Sequence, residues 1–351
     1  MNVDTKVVER PVETQAWKEI VAKYQQPAIW RSIWQIVNTL VPFVVLWYLM
    51  YLSLSISYWL TVPLVILTGG FHIRLFIIFH DCCHGAFFKS RRANDILGFI
   101  TGVLTFTPYY YWRREHSLHH ATAGDLDSRG SGDVWTMTVT EYLAASRWQR
   151  LWYRFARHPF VLFGLSPLLL FLVRYRVPGL NSAKRERLSV YWTNLALLGV
   201  IAGLSSVFGL GTYLLLMTAV VLVACSAGIW LFYVQHQFEG VYWERSEQWD
   251  YATAALKGSS FYKLPKILQW FSGNIGFHHI HHLSPLIPNY HLEKCHYAEP
   301  LFQTVKPVTL WSSFKSLKYR LWDEENRRLV GYDYLRTLQK QPAQGELGLT
   351  R

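Results

Sequence analysis

The chain of 351 residues is 51% hydrophobic and 16% aromatic, but only 17% of its residues are charged. An average soluble protein has about 25% charged residues, so this composition excludes a disordered chain and argues against an ordinary soluble protein. Four cysteines are too few for a disulfide scaffold. The net charge of +12 lies on an apolar, Trp-rich chain with no basic stripe on a polar fold, which favours an anionic membrane surface over nucleic acid.

A polar N-terminal segment, 1–31, precedes a long uncharged run from Ser32 to Ile73. Because one helical span of a bilayer needs about 20 apolar residues, this run is long enough for two spans joined by a tight turn. We place these spans near 34–52 and 58–79. The segment before them is too polar, and the run itself too long, for a cleaved signal peptide. The first part of the chain therefore predicts a membrane-embedded helical hairpin.

A basic stretch follows, and it contains two short apolar segments, near 96–107 and 160–173. These segments are too short to span a bilayer and are expected to lie in its interface or to enter one leaflet. A second uncharged run, 188–238, comes next. It predicts two more spans, near 190–207 and 212–233, and thus a second hairpin.

The predicted fold is all-α and integral to the membrane, with four transmembrane helices arranged as two hairpins. Neither hairpin turn carries Lys or Arg, whereas the stretch between the hairpins is rich in both. Because cytoplasmic loops carry the excess of positive charge, both termini and this middle region are expected in the cytoplasm, forming a helical cap. The membrane domain would cover 32–338 and be followed by a flexible C-terminal tail, 339–351.

The histidines form three short clusters, with the sequences HDCCH from His80, HSLHH from His116 and HHIHH from His278. Spacings of three and four residues place side chains on one face of a helix, so each cluster can present two or three imidazoles to one point. One further histidine, His236, follows the last predicted span by three residues. With His279 set aside, nine imidazoles are therefore expected in one layer at the cytoplasmic edge of the membrane.

Nine imidazoles are too many for one ion, because zinc takes four ligands and a haem takes one or two. Two metals would use them, for example with five ligands on one ion and four plus water on the other. Imidazole binds iron, zinc, copper and nickel, so the ligand type alone does not select the metal. A redox metal pair beside hydrocarbon, with no hydrolysable group nearby, favours iron and an O2-driven attack on an unactivated C–H bond.

The remaining histidines are expected to have structural roles. His72 lies inside the second span, two helical turns before His80, where a buried core histidine is the commoner case. His279 does not fit the spacing that the second and third clusters share, so it should point elsewhere. Three more are expected to be interfacial or structural: His158, His291 and His296.

The histidine clusters, the lone histidine after the fourth span and the two-hairpin plan resemble the integral-membrane fatty acid desaturases. Within that family the chain is most similar to the bacterial acyl-lipid desaturases of the Bacillus delta-5 type, from about residue 27 to 335. The resemblance is carried by IFHDCCHGAFF around His80, HSLHHATAGDLDSRGSGDVW from His116, FYVQHQFE around His236 and GNIGFHHIHHLSPLIPNY around His278.

This resemblance implies a non-haem diiron centre that uses O2 to remove two hydrogens from adjacent methylenes, giving a cis double bond and water. Its ligands would be nine histidines: His80, His84, His116, His119, His120, His236, His278, His281 and His282. The oxidation of the acyl chain supplies two electrons, so two more must come from outside. The sequence has no flavin, nicotinamide, haem or iron–sulfur motif, and ferredoxin is the donor that the resemblance implies.

One departure from the family pattern concerns the lone histidine. The animal acyl-CoA branch has an Asn four residues before it, which reaches an iron through water; here that position is Phe232. Asn274, four residues before His278, is a candidate substitute. Arg74, near the end of the second span, is expected to extend toward lipid phosphate. Acidic residues near the clusters are candidates to orient the imidazoles by accepting hydrogen bonds: Asp81, Glu115, Asp125 and Glu239.

The resemblance also implies a substrate, an acyl chain esterified in a membrane phospholipid or other glycerolipid and reached sideways from the bilayer. The segments 96–107 and 160–173 would line its tunnel. Overall similarity favours delta-5 regiochemistry, and delta-12 (omega-6) and delta-9 stay open. A hydroxylase or ketolase on the same scaffold would share every histidine cluster. A membrane metal transporter is a remote alternative, because its ligands should line a path through mid-bilayer rather than gather at one edge.

Overall fold

The computed structural model describes residues 14–130 and 132–340. Its helices are α1 (Thr14–Ala22), α2 (Ile29–Leu54), α3 (Tyr58–His84), α4 (Arg91–Leu104), α5 (Tyr109–Thr122), α6 (Val139–Ala144), α7 (Arg147–Ala156), α8 (Ser166–Leu172), α9 (Lys184–Phe208), α10 (Leu210–His236), α11 (Tyr251–Gly258), α12 (Lys266–Phe271), α13 (His278–Leu283), α14 (Asn289–Ala298), α15 (Pro300–Gln303), α16 (Leu310–Ser313) and α17 (Tyr332–Lys340). Its strands are β1 (Met137–Thr138), β2 (Phe261–Lys263), β3 (Pro307–Thr309), β4 (Leu321–Asp323) and β5 (Arg328–Val330).

Four helices, α2, α3, α9 and α10, are long and apolar enough to cross a membrane. They pair as α2 with α3 and α9 with α10, and α3 also packs closely against α10. The turns are short, because residues 55–57 join the first pair and Gly209 alone joins the second. Gly209 has a φ of 80°, which glycine adopts without strain. The predicted helical membrane fold with two hairpins is confirmed.

The two histidine-bearing helices of this bundle run beyond the apolar spans predicted within them. α3 continues to His84 and α10 to His236, so these histidines lie on regular helical turns instead of just past the helix ends. The HDCCH segment stays helical because it is buried against the rest of the protein. There Asp81 accepts hydrogen bonds from the backbone and side-chain amides of Asn289, both at 2.8 Å.

The two short apolar segments form less regular helices. α4 begins before the predicted residue 96 because Ser90 caps it, accepting a hydrogen bond from the backbone N–H of Ala93 at 3.2 Å. The second segment starts with a π-helical turn, Val161–Leu165, which leads into α8. It follows α7 at a bend of 59°. Both segments pack against the long helices, α4 on α3 and α8 on α10.

Arg74 of α3 does not extend toward lipid phosphate, and that prediction is wrong. The side chain is buried, and its Nε donates a hydrogen bond to Thr39 Oγ1 at 3.1 Å. A terminal N–H donates to the carbonyl of Trp270, whose ring centre lies 3.9 Å from the guanidinium carbon. Acceptors on α2 and α12 therefore satisfy a charge that would otherwise need the membrane surface.

Apart from residues 14–28 and the two hairpin turns, the described residues outside the four long helices form a cap, defined here as 85–130, 132–183 and 237–340. Two small sheets join distant parts of it: β1 pairs with β4 in parallel and β4 with β5 antiparallel, whereas β2 pairs with β3 in parallel. α11 packs on α13, which carries the third histidine cluster. Residues 1–13 and 341–351, which include most of the predicted C-terminal tail, lie outside the described residues.

Candidate metal centre

Four helices bring nine histidine side chains together. The spacings of three and four residues keep the side chains of each helix on one face. His84 and His116 are partly exposed, and the other seven are buried. α3 carries two of the nine, α5 three, α10 one and α13 three: His80, His84, His116, His119, His120, His236, His278, His281 and His282.

The nine imidazoles separate into two groups that could each hold a metal ion. In each group, one nitrogen of every ring lies within 4.8 Å of those of the others. This division into five and four agrees with the example predicted from the sequence for two metals. The five-histidine group is His80, His84, His116, His120 and His281. The four-histidine group is His119, His236, His278 and His282.

The ring nitrogens within each group face one another at distances that suit a shared ion. Nε2 of His119 lies 3.2 Å from Nε2 of His236. Nε2 of His120 lies 3.1 Å from that of His116 and 3.0 Å from that of His281. Two nitrogens bound at right angles to one ion, each about 2.1 Å away, are roughly 3.0 Å apart. The donor set in each group therefore fits a metal ion.

Hydrogen bonds among the rings do not satisfy all of these nitrogens. Nε2 of His120 faces two other Nε2 atoms, yet a neutral imidazole carries only one ring hydrogen. Nε2 of His84 is buried without a hydrogen-bond partner among the described residues. An unsatisfied buried nitrogen costs about 1–3 kcal/mol. An ion that accepts these lone pairs would remove that cost.

Burial keeps five of the clustered imidazoles in the cap neutral. A neutral ring offers a lone pair to a metal, whereas a protonated ring does not. Loss of contact with water, reinforced by the neighbouring imidazoles, lowers the pKa of five of them well below the usual 6.5: His116, His120, His278, His281 and His282. These five rings are therefore ready to act as ligands at neutral pH.

Asp81 lies against the first histidine of α3. Its Oδ1 is 3.3 Å from Nδ1 of His80, and its Oδ2 accepts the two hydrogen bonds from Asn289. Asn289 in turn donates to Oε1 of Gln35 at 3.2 Å. A carboxylate on Nδ1 fixes the tautomer of an imidazole and leaves Nε2 free for a metal. The structure thus places this sequence candidate beside the five-histidine group.

A second carboxylate, that of Asp133, contacts a histidine although it lies apart from the histidine clusters in the sequence and is not among the acidic candidates predicted above. Its Oδ1 lies 2.6 Å from Nδ1 of His119, 14 residues earlier. The chain returns to α5 very closely here, because a Cβ on Gly132 would lie 3.2 Å from the Cβ of His119. Gly132 also has a φ of 77°. A Gly-Asp pair after the second cluster is a weak signal for this contact, because Gly124–Asp125 is such a pair as well and its carboxylate accepts from serines.

Two of the other acidic candidates lie near the site without a described hydrogen bond to its histidines. Glu115 is hydrogen-bonded to the hydroxyl of Tyr111, and burial raises the pKa of its carboxyl. Asp125 instead accepts hydrogen bonds from Ser246 Oγ at 2.8 Å and from Ser128 Oγ at 2.8 Å. Among the described residues, these two carboxylates are therefore hydrogen-bonded to hydroxyl groups and not to the histidines.

The remaining two candidates are placed differently. Glu239 is exposed, and its Oε2 lies 3.7 Å from Nζ of Lys315. Asn274 donates to the carbonyl of Asn289 at 3.1 Å and accepts from Gln269 Nε2 at 2.8 Å. The side-chain amide of Asn274 is therefore engaged with α12 and α14, and among the described hydrogen bonds it is linked to the histidines through Asn289 and Asp81.

The five other histidines lie outside both groups. His279 turns away from the site, and its Nε2 lies 3.2 Å from Nδ1 of His296. Burial lowers the pKa of His279 to about 3, so this ring is neutral as well. His158 is exposed and His291 is partly buried, whereas His72 is buried at the wall of a cavity.

This cavity, of about 200 Å³, begins at the histidines and continues between the long helices. Members of both groups face it: His80, His116, His119 and His278. Most of its other walls are apolar and come from α3, α8 and α10, among them Phe76, Phe171, Ala224 and Phe232. The ring centre of Phe232 lies 5.1 Å from those of both His119 and His236. An aromatic ring therefore occupies the place where the animal branch has its Asn.

Four membrane-length helices, two converging groups of imidazoles and an apolar cavity indicate a membrane protein with a histidine-rich candidate metal site. The family model described as fatty acid desaturase matches residues 57–311, a range that contains both hairpins' histidines and the whole of α13. The chain belongs to the fatty acid desaturase family.

Known relatives agree with this assignment. The chain is 51% identical to a fatty acid desaturase of Bacillus subtilis (strain 168) over 313 residues, which is 89% of each sequence. It is 26% identical over 256 residues, 70% of each sequence, to the sn-1 oleoyl-lipid 12-desaturase of Synechocystis sp.. It is 27% identical over 263 residues to the sn-1 acyl-lipid omega-3 desaturase (ferredoxin) of Nostoc sp., covering 71% of this chain and 68% of the relative. The resemblance seen in the histidine motifs is confirmed.

Proposed function

We propose that this desaturase holds two iron ions through its nine clustered histidines. We propose further that it introduces a cis double bond into the acyl chains of membrane glycerolipids, using O2 and electrons from ferredoxin. The observation that supports this most directly is that both histidine groups face one apolar cavity. A hydrocarbon chain in that cavity would lie against the side chains proposed to hold the metal.

The choice of iron follows from the chemistry of desaturation. Removing two hydrogens from adjacent methylenes is an oxidation, and zinc does not change its oxidation state. Iron binds imidazole well and can change its own oxidation state. The bound iron pair would supply the activation of O2 that breaks unactivated C–H bonds. The five-histidine group would hold one ion and the four-histidine group the other.

The other residues of the site orient the imidazoles and exclude water. Asp81 and Asp133 lie on Nδ1 of one histidine in each group, which leaves the corresponding Nε2 directed at the ion. The rings of Trp112 and Phe232 lie against histidines of the five-histidine and four-histidine groups, respectively. Hydrocarbon and aromatic surface, rather than water, would therefore surround the reacting methylenes.

The walls of the cavity support a membrane lipid as the substrate, and the distribution of basic residues supports the proposed location. Because α3 and α10 line it, an acyl chain can enter from within the bilayer without leaving the lipid. The concentration of Lys and Arg between the hairpins supports a position in the cell membrane with the cap and both termini in the cytoplasm. Regiochemistry depends on how far the chain extends past the histidines, and we favour delta-5 over delta-12 and delta-9.

Two electrons per double bond must reach the site from another protein. The name of the Nostoc relative specifies ferredoxin. The net charge of +12 on this chain suits an acidic protein donor. A ferredoxin-type donor approaching the cytoplasmic cap is therefore part of the proposal.

Filling the cavity is expected to block the substrate. Gly228 of α10 lines the cavity, and a Cβ there would meet no atom within 4 Å, so a larger side chain fits into the open space. Gly228→Leu should therefore lower conversion about tenfold, because the added side chain would occupy space that the acyl chain needs, and relieving such an overlap costs about 1–3 kcal/mol. Product per unit of membrane-inserted protein measures the effect.

Gly199→Leu is the matched control, because its Cβ also meets no atom within 4 Å but Gly199 on α9 does not line the cavity. Gly199→Leu should behave like the unsubstituted protein. Unchanged conversion and an unmoved double bond in Gly228→Leu would contradict the assignment of the acyl chain to this cavity.

The proposed function is tested by fatty-acid analysis of a host that makes only saturated lipids and expresses this chain with a ferredoxin system. Mass spectrometry of dimethyl disulfide adducts locates the double bond. A new monoene in the phospholipid fraction is expected, and a delta-5 bond would agree with the favoured regiochemistry. Hydroxylated chains would instead indicate an oxygenase on this scaffold. Unchanged lipids from an iron-loaded protein would contradict the proposed donor or lipid form.

A further inference from the structure

Arg157, the residue at the end of α7, is almost completely buried, with 2% of its surface exposed. It donates hydrogen bonds of 3.1–3.3 Å to five neutral acceptors: the carbonyls of Trp135 and Tyr319, the hydroxyls of Thr136 and Tyr233, and Oε1 of Gln237. Its guanidinium carbon also lies 5.4 Å from the ring centre of Tyr233. One side chain thus joins three distant parts of the chain.

No carboxylate is paired with this guanidinium among the described residues. Taking an unpaired charge out of water costs several kcal/mol, and hydrogen bonds to neutral groups offset only part of it. Arg157 is also unused in the metal chemistry described above, since it contacts none of the nine histidines through a described hydrogen bond. The metal site therefore does not account for the free-energy cost of burying this guanidinium.

The partners of Arg157 flank two members of the four-histidine group. Gln237 follows His236 directly, and Tyr233 lies one helical turn before it. On the other side, Trp135 and Thr136 follow Asp133, which holds His119 by its Nδ1 at 2.6 Å. Gln237 also donates to Thr136 Oγ1 at 3.2 Å.

These contacts close a ring. From Arg157 it passes by a hydrogen bond to Gln237 and by the backbone to His236, whose Nε2 lies 3.2 Å from Nε2 of His119. From His119 it returns through the contact with Asp133 and along the backbone to Trp135, whose carbonyl accepts a hydrogen bond from Arg157. Because every link is a covalent bond or a short contact, a displacement of Arg157 is expected to change the separation of two of the four donor nitrogens.

We propose that Arg157 is a positioning residue for the four-histidine group, setting the distance between His119 and His236 so that both reach one metal ion. The inference rests on the proposed function, since it takes the four histidines as ligands. Although α5 and α13 carry members of both groups, Asp133 and Gln237 adjoin only members of the four-histidine group, whereas His80 and His84 of the five-histidine group lie on α3 beside the Asp81–Asn289 contact. Loss of Arg157 should therefore affect one metal and not the other.

The test is an Fe(II) titration of the metal-free, full-length protein in detergent. The unsubstituted protein should take up two iron ions per chain. Arg157→Lys keeps the charge but cannot form the fork of hydrogen bonds, so it should keep one tight iron and bind the second roughly 10–100-fold more weakly. Gln237→Met, which removes one link of the ring and leaves Arg157 in place, should weaken the same iron by less.

Arg176→Lys is the matched control. Arg176 is partly buried and donates to Asn194 Oδ1 at 2.9 Å and to the carbonyl of Phe106, away from the histidines. It should bind both irons tightly even if its melting temperature falls. Two tight irons in Arg157→Lys and Gln237→Met, or equal weakening of both irons, would overturn the positioning role and leave Arg157 a structural residue. Fewer than two irons in the unsubstituted protein would overturn the proposed function itself, and the positioning role with it.

Discussion

His120→Ala and His281→Ala are each expected to lower desaturation at least about 100-fold while leaving membrane insertion intact. The Nε2 atoms of these two rings lie 3.0 Å apart in the five-histidine group, and both rings are buried and neutral. Loss of a direct ligand should exceed the roughly 10–100-fold that loss of an outer hydrogen-bond partner costs. Monoene produced per unit of membrane-inserted protein measures the effect, and iron per chain should fall as well.

His158→Ala serves as the control for these two variants. His158 is exposed and lies in neither histidine group, so its removal should leave most of the activity. Activity close to that of the unsubstituted protein in His120→Ala or His281→Ala would show that the ligand assignment is wrong. Complete loss in His158→Ala would show that the set of nine is incomplete.

Asp133→Asn is expected to lower iron affinity or desaturation roughly 10–100-fold, the range for outer partners of metal-bound histidines. The carboxylate lies 2.6 Å from Nδ1 of His119, where it favours a hydrogen on that nitrogen and so keeps Nε2 free for the metal. A neutral amide of the same shape holds the ring less strongly. Iron titration and product analysis on the same preparation separate weaker binding from slower chemistry.

Asp125→Asn provides the matched comparison, because Asp125 is a buried acid in the same returning loop. Its carboxylate accepts hydrogen bonds from two serine hydroxyls and not from a histidine. This variant should keep its iron affinity even if the protein is somewhat less stable. Equal iron affinities for Asp133→Asn and the unsubstituted protein would contradict the orienting role of Asp133.

The membrane fold could be predicted because its signals are local. The two uncharged runs predict the hairpins, since each is long enough for two spans and a helix satisfies its backbone hydrogen bonds within its own segment in lipid. The arrangement of the histidine clusters could be predicted as well, because three- and four-residue spacings on a helix place the rings of His116, His119 and His120 on one face. Their convergence from four helices followed from the expectation that all clusters lie at one edge of the membrane.

The supporting residues could not be predicted in the same way, because their contacts depend on tertiary structure. Asp133 reaches His119 only because the chain returns closely at Gly132. Arg157 joins residues separated from it by up to 162 positions. Arg74 was expected at the membrane surface because its sequence neighbours are apolar, but α2 and α12 supply its acceptors instead. Proximity to a histidine in the sequence, as for Glu239, did not guarantee a contact.

The measurement that tests the central claim most directly is the iron content and Mössbauer spectrum of the full-length protein, expressed with ⁵⁷Fe and purified from membranes. Nine imidazoles in groups of five and four should hold two iron ions per chain in nitrogen-rich environments. The variant that lacks both His120 and His281 should lose iron. A purified protein that desaturates lipids with only one iron per chain, or with none, would contradict the two-metal site.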